Sequence, residues 1–206
     1  MKIKLTKIKQ LNPCQDDAVF FKNKYGNKEV EVSKVCHNFF DDDKISSIIW
    51  LITSLLEKDD LVRYAVYVAK LMRPIFKNIK SYSNVIEKAI RSTEKCLTDN
   101  SEKAINRNKK YSQMVYFLNT DRHFFIKNSR FPKSFLGCRI DHIDIFYARL
   151  AIHFLSNVID SYYCAEKEDD GTYEIIDLFY EIVEGDPKQV TRVMKYGLEL
   201  LEKNNG

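Results

Sequence analysis

ISSIIWLITSLLEKDDLVRYAVYVAKLMRPIFKNIKSYSNVIEKAIRSTEKCL, residues 45–97, carries apolar side chains at helical intervals with charges set between them. Ile45, Ile48, Ile49, Ile52, Leu55 and Leu56 make one stripe. Leu61, Tyr64, Ala65, Val68, Met72, Ile75, Phe76 and Ile79 make a second, and Val85, Ala89, Ile90, Thr93, Cys96 and Leu97 a third. Recurrence at i, i+3, i+4 and i+7 is the pattern of amphipathic helices that share a core. The stretch therefore predicts three consecutive helices, and it decides the fold class without naming a chemistry.

Composition points the same way. Of 206 residues, 45% are hydrophobic and 30% charged, an ordinary globular balance. Only 6 glycines and 4 prolines are present, which disfavours a turn-rich β fold and favours helices joined by short connections. The expected fold is all-α, a single-domain multi-helix bundle over 1–206 with a minor N-terminal β-hairpin. Within it 1–43 is a lead-in, 44–127 holds amphipathic helices, 128–139 is a basic and aromatic loop, and 140–206 holds the central and C-terminal helices.

MKIKLTKIKQL at the N-terminus has lysines but no continuous apolar run, and no segment reaches the roughly 18 apolar residues of a membrane span. A soluble, cytoplasmic protein without a membrane partner is expected. The 5 cysteines, Cys14, Cys36, Cys96, Cys138 and Cys164, have no CxxC spacing, so neither a disulfide framework nor a zinc ribbon is indicated. They read as small core residues.

Helix starts are marked by capping patterns. Asn12-Pro13-Cys14-Gln15 and Asp186-Pro187-Lys188-Gln189 each place a capping side chain, a proline at the first helical position and a glutamine at the third. Asn84 to Glu87 and Asp99 to Glu102 repeat the logic with glutamate, and predict fresh starts after Ser83 and Thr98. Helices are predicted near 13–24, 33–40, 44–57, 60–79, 84–97, 100–127, 140–164, 173–184 and 187–203. Lys28 to Val32 and the partly alternating Lys2 to Ile8 are the candidates for pairing as extended chain. The acidic triplet Asp41-Asp42-Asp43 precedes a predicted helix and reads as its N-terminal cap.

WLITSLLEKDDLVRYAVYVAKLMRPIF, followed by EKAIRSTEKCL, resembles the helical immunity proteins of bacterial polymorphic-toxin systems and their phage-encoded relatives. Trp50 in the first helix, Arg63, Tyr64, Ala65 and Ala69 in the second, and Lys88-Ala89-Ile90 in the third carry the likeness. Asn12-Pro13-Cys14, Phe20-Phe21 and Tyr25-Gly26 are similar to the lead-in of some phage members. The resemblance covers roughly 12–110; beyond it, aromatic and basic residues replace the alanine-rich helices usual in the family. It implies an α-helical, non-enzymatic protein that binds another macromolecule, and it supplies no catalytic residues.

Charge is sorted along the chain. Arg73 to Arg139 holds 15 Lys and Arg against 5 Asp and Glu, and Ile140 to Asp186 holds 2 against 12. Either the two segments neutralise each other internally, or they face partners. Cations and aromatics interleave at Lys109, Lys110, Tyr111, Tyr116, Arg122, His123, Phe124, Phe125, Lys127, Arg130, Phe131, Lys133, Phe135 and Arg139. That mixture suits phosphates and unpaired bases as well as a protein surface.

Other constellations read as structural. The predicted helix 140–164 is apolar nearly all round, so His142, Arg149, His153, Asn157 and Asp160 need pairing within it. Cys138 with His142 lacks a second ligand pair, and the adjacent Cys36-His37 would splay to different faces, so no metal is expected. Cys14, placed in a helical first turn where the dipole lowers a thiol's pKa, has no histidine beside it in sequence, and burial is expected. No phosphate loop, HExxH or GxSxG motif is present. These residues predict no catalytic group and no cofactor. The expected function is a non-enzymatic inhibitor that binds and blocks a toxin or a nucleic-acid-guided defence effector through Arg122, Lys127, Arg130, Phe131, Lys133, Phe135 and Arg139. The alternative is RNA or single-stranded nucleic-acid binding by region 103–139.

Overall fold

The structure, a computed structural model, describes residues 1–71, 80–99, 101–108, 110–111 and 187–203. It is all-α with one small two-stranded antiparallel ladder. The elements are β1 (Lys2–Ile3), α1 (Leu5–Gln10), α2 (Gln15–Tyr25), β2 (Val30–Glu31), α3 (Val32–Asp41), α4 (Ile45–Leu55), α5 (Lys58–Leu71), α6 (Lys80–Cys96), α7 (102–108) and α8 (Pro187–Lys203). Contacts divide the chain into two compact units, one of Met1–Glu57 with Val183–Gly206 and one of Lys58–Ile182. The predicted helices 140–164 and 173–184 lie outside the described residues.

In the first unit α8 packs against α4 and α3, and α3 against α4. The stripe predicted for α4 is too narrow an account of it. Every residue from Ser47 to Thr53 is buried, Trp50 and Leu51 included, while Ile45, Leu55 and Leu56 are only half-buried. A helix apolar all round is an enclosed one, and α4 has that character because α3 and α8 both cover it. Its two buried hydroxyls are satisfied: Ser47 Oγ donates to Asp17 Oδ1 at 2.6 Å, and Thr53 Oγ1 lies 2.9 Å from the Ile49 carbonyl. In α8, Val190, Val193, Met194, Leu200 and Leu201 are buried at helical spacing, and Pro187 stands at the first helical position as predicted. Gln189 Oε1 is buried without a hydrogen-bond partner, so the reciprocal arm of the predicted capping box is not made.

Lys2 pairs with Glu31 and Ile3 with Val30, which realises the predicted ladder. The extended reading of the N-terminus stops there. Leu5 and Ile8, three apart, are both buried on the short helix α1, a spacing that a strand would place on opposite faces.

Several predicted helix starts shift. Asn12 has a left-handed backbone, φ 52°, so it is outside the helix, and the cap of α2 is Cys14, whose Sγ accepts the Asp17 N–H at 3.4 Å. Asn84 caps nothing, because α6 already runs from Lys80. At the next start the Asp99 carboxylate accepts the Ser101 N–H at 3.0 Å, and Ser101 Oγ accepts the Ala104 N–H at 3.3 Å, so α7 begins two residues later than read. The hydrogen bonds from Ser101, side chain first and then backbone, hold the Asp99 carboxyl below its ordinary pKa.

The acidic triplet closes α3 instead of opening α4, whose cap is Lys44 with no side-chain bond. Asp43 N–H donates to Phe40 O at 3.1 Å and Lys44 N–H to Phe39 O at 2.7 Å, with Asp43 left-handed at φ 55°. That is a Schellman termination with aspartate where glycine is usual. Asp43→Gly is expected to stabilise the protein by about 0.5–1 kcal/mol, since it relieves the left-handed side chain and removes a negative charge from a helix C-terminus. Urea unfolding measures this, and a lower midpoint for the variant would refute it.

In the second unit α5 packs on α6. Tyr64, Ala65, Val68 and Ala69 are buried on α5, and Ala89, Ile90 and Cys96 on α6, as their spacing predicts. Lys70 and Glu94 join the two helices by an ion pair. Ser92 Oγ and Thr93 Oγ1 on α6 lie 2.8 and 3.1 Å from Asn108 Oδ1, and Asn108, fully buried, fixes α7 beside α6.

Candidate functional site

Arg122, Lys127, Arg130, Phe131, Lys133, Phe135 and Arg139, the expected partner-binding residues, lie outside the described residues. So do Cys138 and the stripe of His142, Arg149, His153, Asn157 and Asp160. Of the basic region, the structure describes its beginning. On α7 and in the helical residues 110–111, Lys103, Arg107 and Lys110 are exposed at intervals of four and three residues, hence on one helical face, while Ala104 and Asn108 are buried. Lys88 and Arg91 on α6 are likewise exposed. Among the described residues none of these five cations has an ion-pair partner, whereas Lys95 holds Asp99 at 3.6 Å. Positive charge on this part of the segment is therefore left facing solvent.

The first unit holds a second charged feature, a cleft of about 690 Å³ bordered by α2, β2 and α3. Gly26 ends α2 at φ 59°, a backbone that glycine adopts at low cost, and the chain then turns back into β2 and α3. That reversal sets Tyr25 opposite Asn38, whose amide N–H donates to the Tyr25 hydroxyl. Lys2, Lys24, Lys28 and Lys34 line the cleft together with Glu29 and Glu31. Nothing in the periodicity of the sequence marks this cleft; the nearest signal is the turn Tyr25-Gly26-Asn27-Lys28, flanked by lysines.

The remaining polar groups do structural work. Cys36 is buried and its thiol is pushed up to about 12 by that burial, so it stays protonated. His37, next to it, is exposed and lies 2.6 Å through Nδ1 from the Ser33 carbonyl. The two side chains splay as expected, and among the described residues no group of three or more His, Cys, Asp or Glu could hold a metal. Cys14 corrects two expectations. It is exposed, not buried, and its thiol is raised, not lowered, chiefly because partial desolvation outweighs the Asp17 N–H bond and the Asp17 carboxylate adds to the rise. That thiol is a helix cap without an activating partner.

Comparisons of the chain with protein-family models, with curated proteins and with solved structures find no match. No helix of the described residues is long and apolar enough to cross a membrane.

Proposed function

We propose that this protein is a non-enzymatic inhibitor of the immunity type, one that binds an acidic macromolecular target and occludes its working surface. The observation that carries this reading is the set of exposed cations without an ion-pair partner among the described residues, Lys88 and Arg91 on α6 and the single face of Lys103, Arg107 and Lys110, in a segment whose sequence continues basic and aromatic to Arg139. Charge of one sign left without an internal partner steers an oppositely charged partner and fixes its orientation. The target class, a toxin or a nucleic-acid-guided defence effector, follows from the resemblance of residues 12–110 to immunity proteins. Arg122, Lys127, Arg130, Phe131, Lys133, Phe135 and Arg139 supply the anchors in this reading.

The alternation of cations with Tyr111, Tyr116, Phe124, Phe125, Phe131 and Phe135 favours one second reading, direct binding of single-stranded nucleic acid. One pair of experiments separates the two. Affinity capture from the native host should recover a protein target with the wild-type chain and lose it with Lys103→Glu/Arg107→Glu/Lys110→Glu. Gel retardation of single-stranded RNA at low salt should show no complex. Retardation that falls steeply with salt, with a slope flattened by Arg122→Ala and by Arg130→Ala, would replace the inhibitor by the nucleic-acid binder. Capture unchanged by the triple reversal would refute the cationic face.

A further inference from the structure

We propose that the cleft between α2, β2 and α3 is a second docking groove, one that receives a carboxylate-rich segment of a protein partner on Lys28 and Lys34. The inference rests on the reading of the protein as a binder of an acidic target and adds to it a surface in the other unit. The ion-pair inventory of the cleft is lopsided. Its carboxylates are engaged: Glu29 holds Lys4 at 3.8 Å, and Glu31 holds Lys2 at 3.9 Å and the Met1 amino group at 3.6 Å. Of its lysines, Lys24 holds Asp42 at 3.4 Å, but Lys28 and Lys34 are exposed and make no ion pair among the described residues. An incoming carboxylate meets two open ammonium groups, flanked by two lysines whose exposed pairs are weak enough to exchange partners.

The lining also decides between a protein and a nucleic acid. A phosphodiester chain carries charge at every unit and would run past Glu29 and Glu31, with like-charge repulsion at each. A polypeptide can set its carboxylates opposite the lysines and neutral residues opposite the glutamates. The cleft has one ring, Tyr25. It is half-buried, tilted against Phe21 with centroids 5.0 Å apart, and its hydroxyl is engaged by Asn38, so it offers no free face for a base. No arginine lines the cleft, and bidentate phosphate recognition relies on that residue. Its volume is within the roughly 300–1,000 Å³ range of ligand sites, enough for a short segment of chain.

The test uses the full chain, isotopically labelled, titrated at low salt with a ten-residue peptide that alternates glutamate and serine and separately with a ten-nucleotide oligouridylate. The alternating peptide is expected to shift the amide resonances of residues 24–38 saturably. Lys28→Glu/Lys34→Glu should weaken that binding by about tenfold or more, while Lys7→Glu/Lys9→Glu, the same charge change on exposed lysines of α1, should leave it within about twofold. Equal weakening by both reversals, or shifts that leave residues 24–38 unmoved, would show attraction to net charge alone and refute the groove. Oligouridylate that saturates the same residues as tightly as the alternating peptide would also overturn it, in favour of a phosphate site. The peptide probes the cleft without the target, so the result stands apart from whether residues 122–139 hold that target.

Discussion

Leu51→Ala is expected to lower the unfolding free energy by about 2–5 kcal/mol, the range for deleting an enclosed leucine side chain and leaving a partly relaxed cavity. Leu51 is fully buried at the middle of α4, and its neighbours Trp50 and Ile52 are buried on either side of it, so no face of the helix can tilt outward to close the gap. The same truncation at Val19 on α2, which is 47% exposed, should fall within about ±0.5 kcal/mol. Urea unfolding followed by far-ultraviolet circular dichroism gives both values. A Leu51→Ala cost below about 1 kcal/mol would show that α4 is not enclosed as described.

The contrast between α4 and α5 shows what could be read from residue order alone. Tyr64, Ala65 and Val68 on α5 are buried where the helical stripe puts them, and Arg63, Tyr67 and Lys70, four and three apart, form a half-buried face, with Asp59 exposed at the start and Arg63 beside Asp60 at 2.7 Å. Local spacing suffices for these three, though Val62 and Val66, outside the stripe, are buried as well and Leu61, within it, is half-buried. The inward direction of Trp50 and Leu51 depends on α8 returning to α4 from the far end of the chain, and spacing within α4 carries no trace of that return. For α8 itself, Pro187 marks the start, as its cap pattern predicts.

Caps were less legible because two residue types serve both ends of a helix. Asn12 and Asp43 look like N-caps in sequence, yet both stand in left-handed backbone, the other role that short polar side chains fill. Hydrogen bonding within three or four residues decides between these roles, and the deciding donors are main-chain groups that every residue carries. The cleft was illegible for a related reason. Lys28 and Lys34 become neighbours of Tyr25 and Asn38 only through the reversal at Gly26, and charges brought together by a turn have no period.

Replacement of residues 128–139 by a Gly/Ser linker of equal length is expected to abolish target binding, a loss of about 100-fold or more, while sparing the helical circular dichroism and the thermal transition. Ile48, Ile49, Ile52, Tyr64, Val68, Ala89 and Ile90, the stripe residues shared with the immunity-protein resemblance, are buried in packing. Val19 is the one exposed large hydrophobic residue among the described residues, so their surface offers charge but little apolar area to hold a partner. Tight interfaces concentrate their energy in arginine and aromatic side chains, and NSRFPKSFLGCR supplies Arg130, Phe131 and Phe135 beside Pro132 and Gly137. A Gly/Ser segment of the same length adds little closure entropy, so the fold should tolerate the exchange. Arg130→Ala and Phe131→Ala, made singly, should each raise the dissociation rate while leaving the association rate within a few-fold, because the proposed function assigns steering to the cations of α6 and α7. Full binding by the folded, linker-bearing protein would place the anchors elsewhere and remove residues 128–139 from the interface.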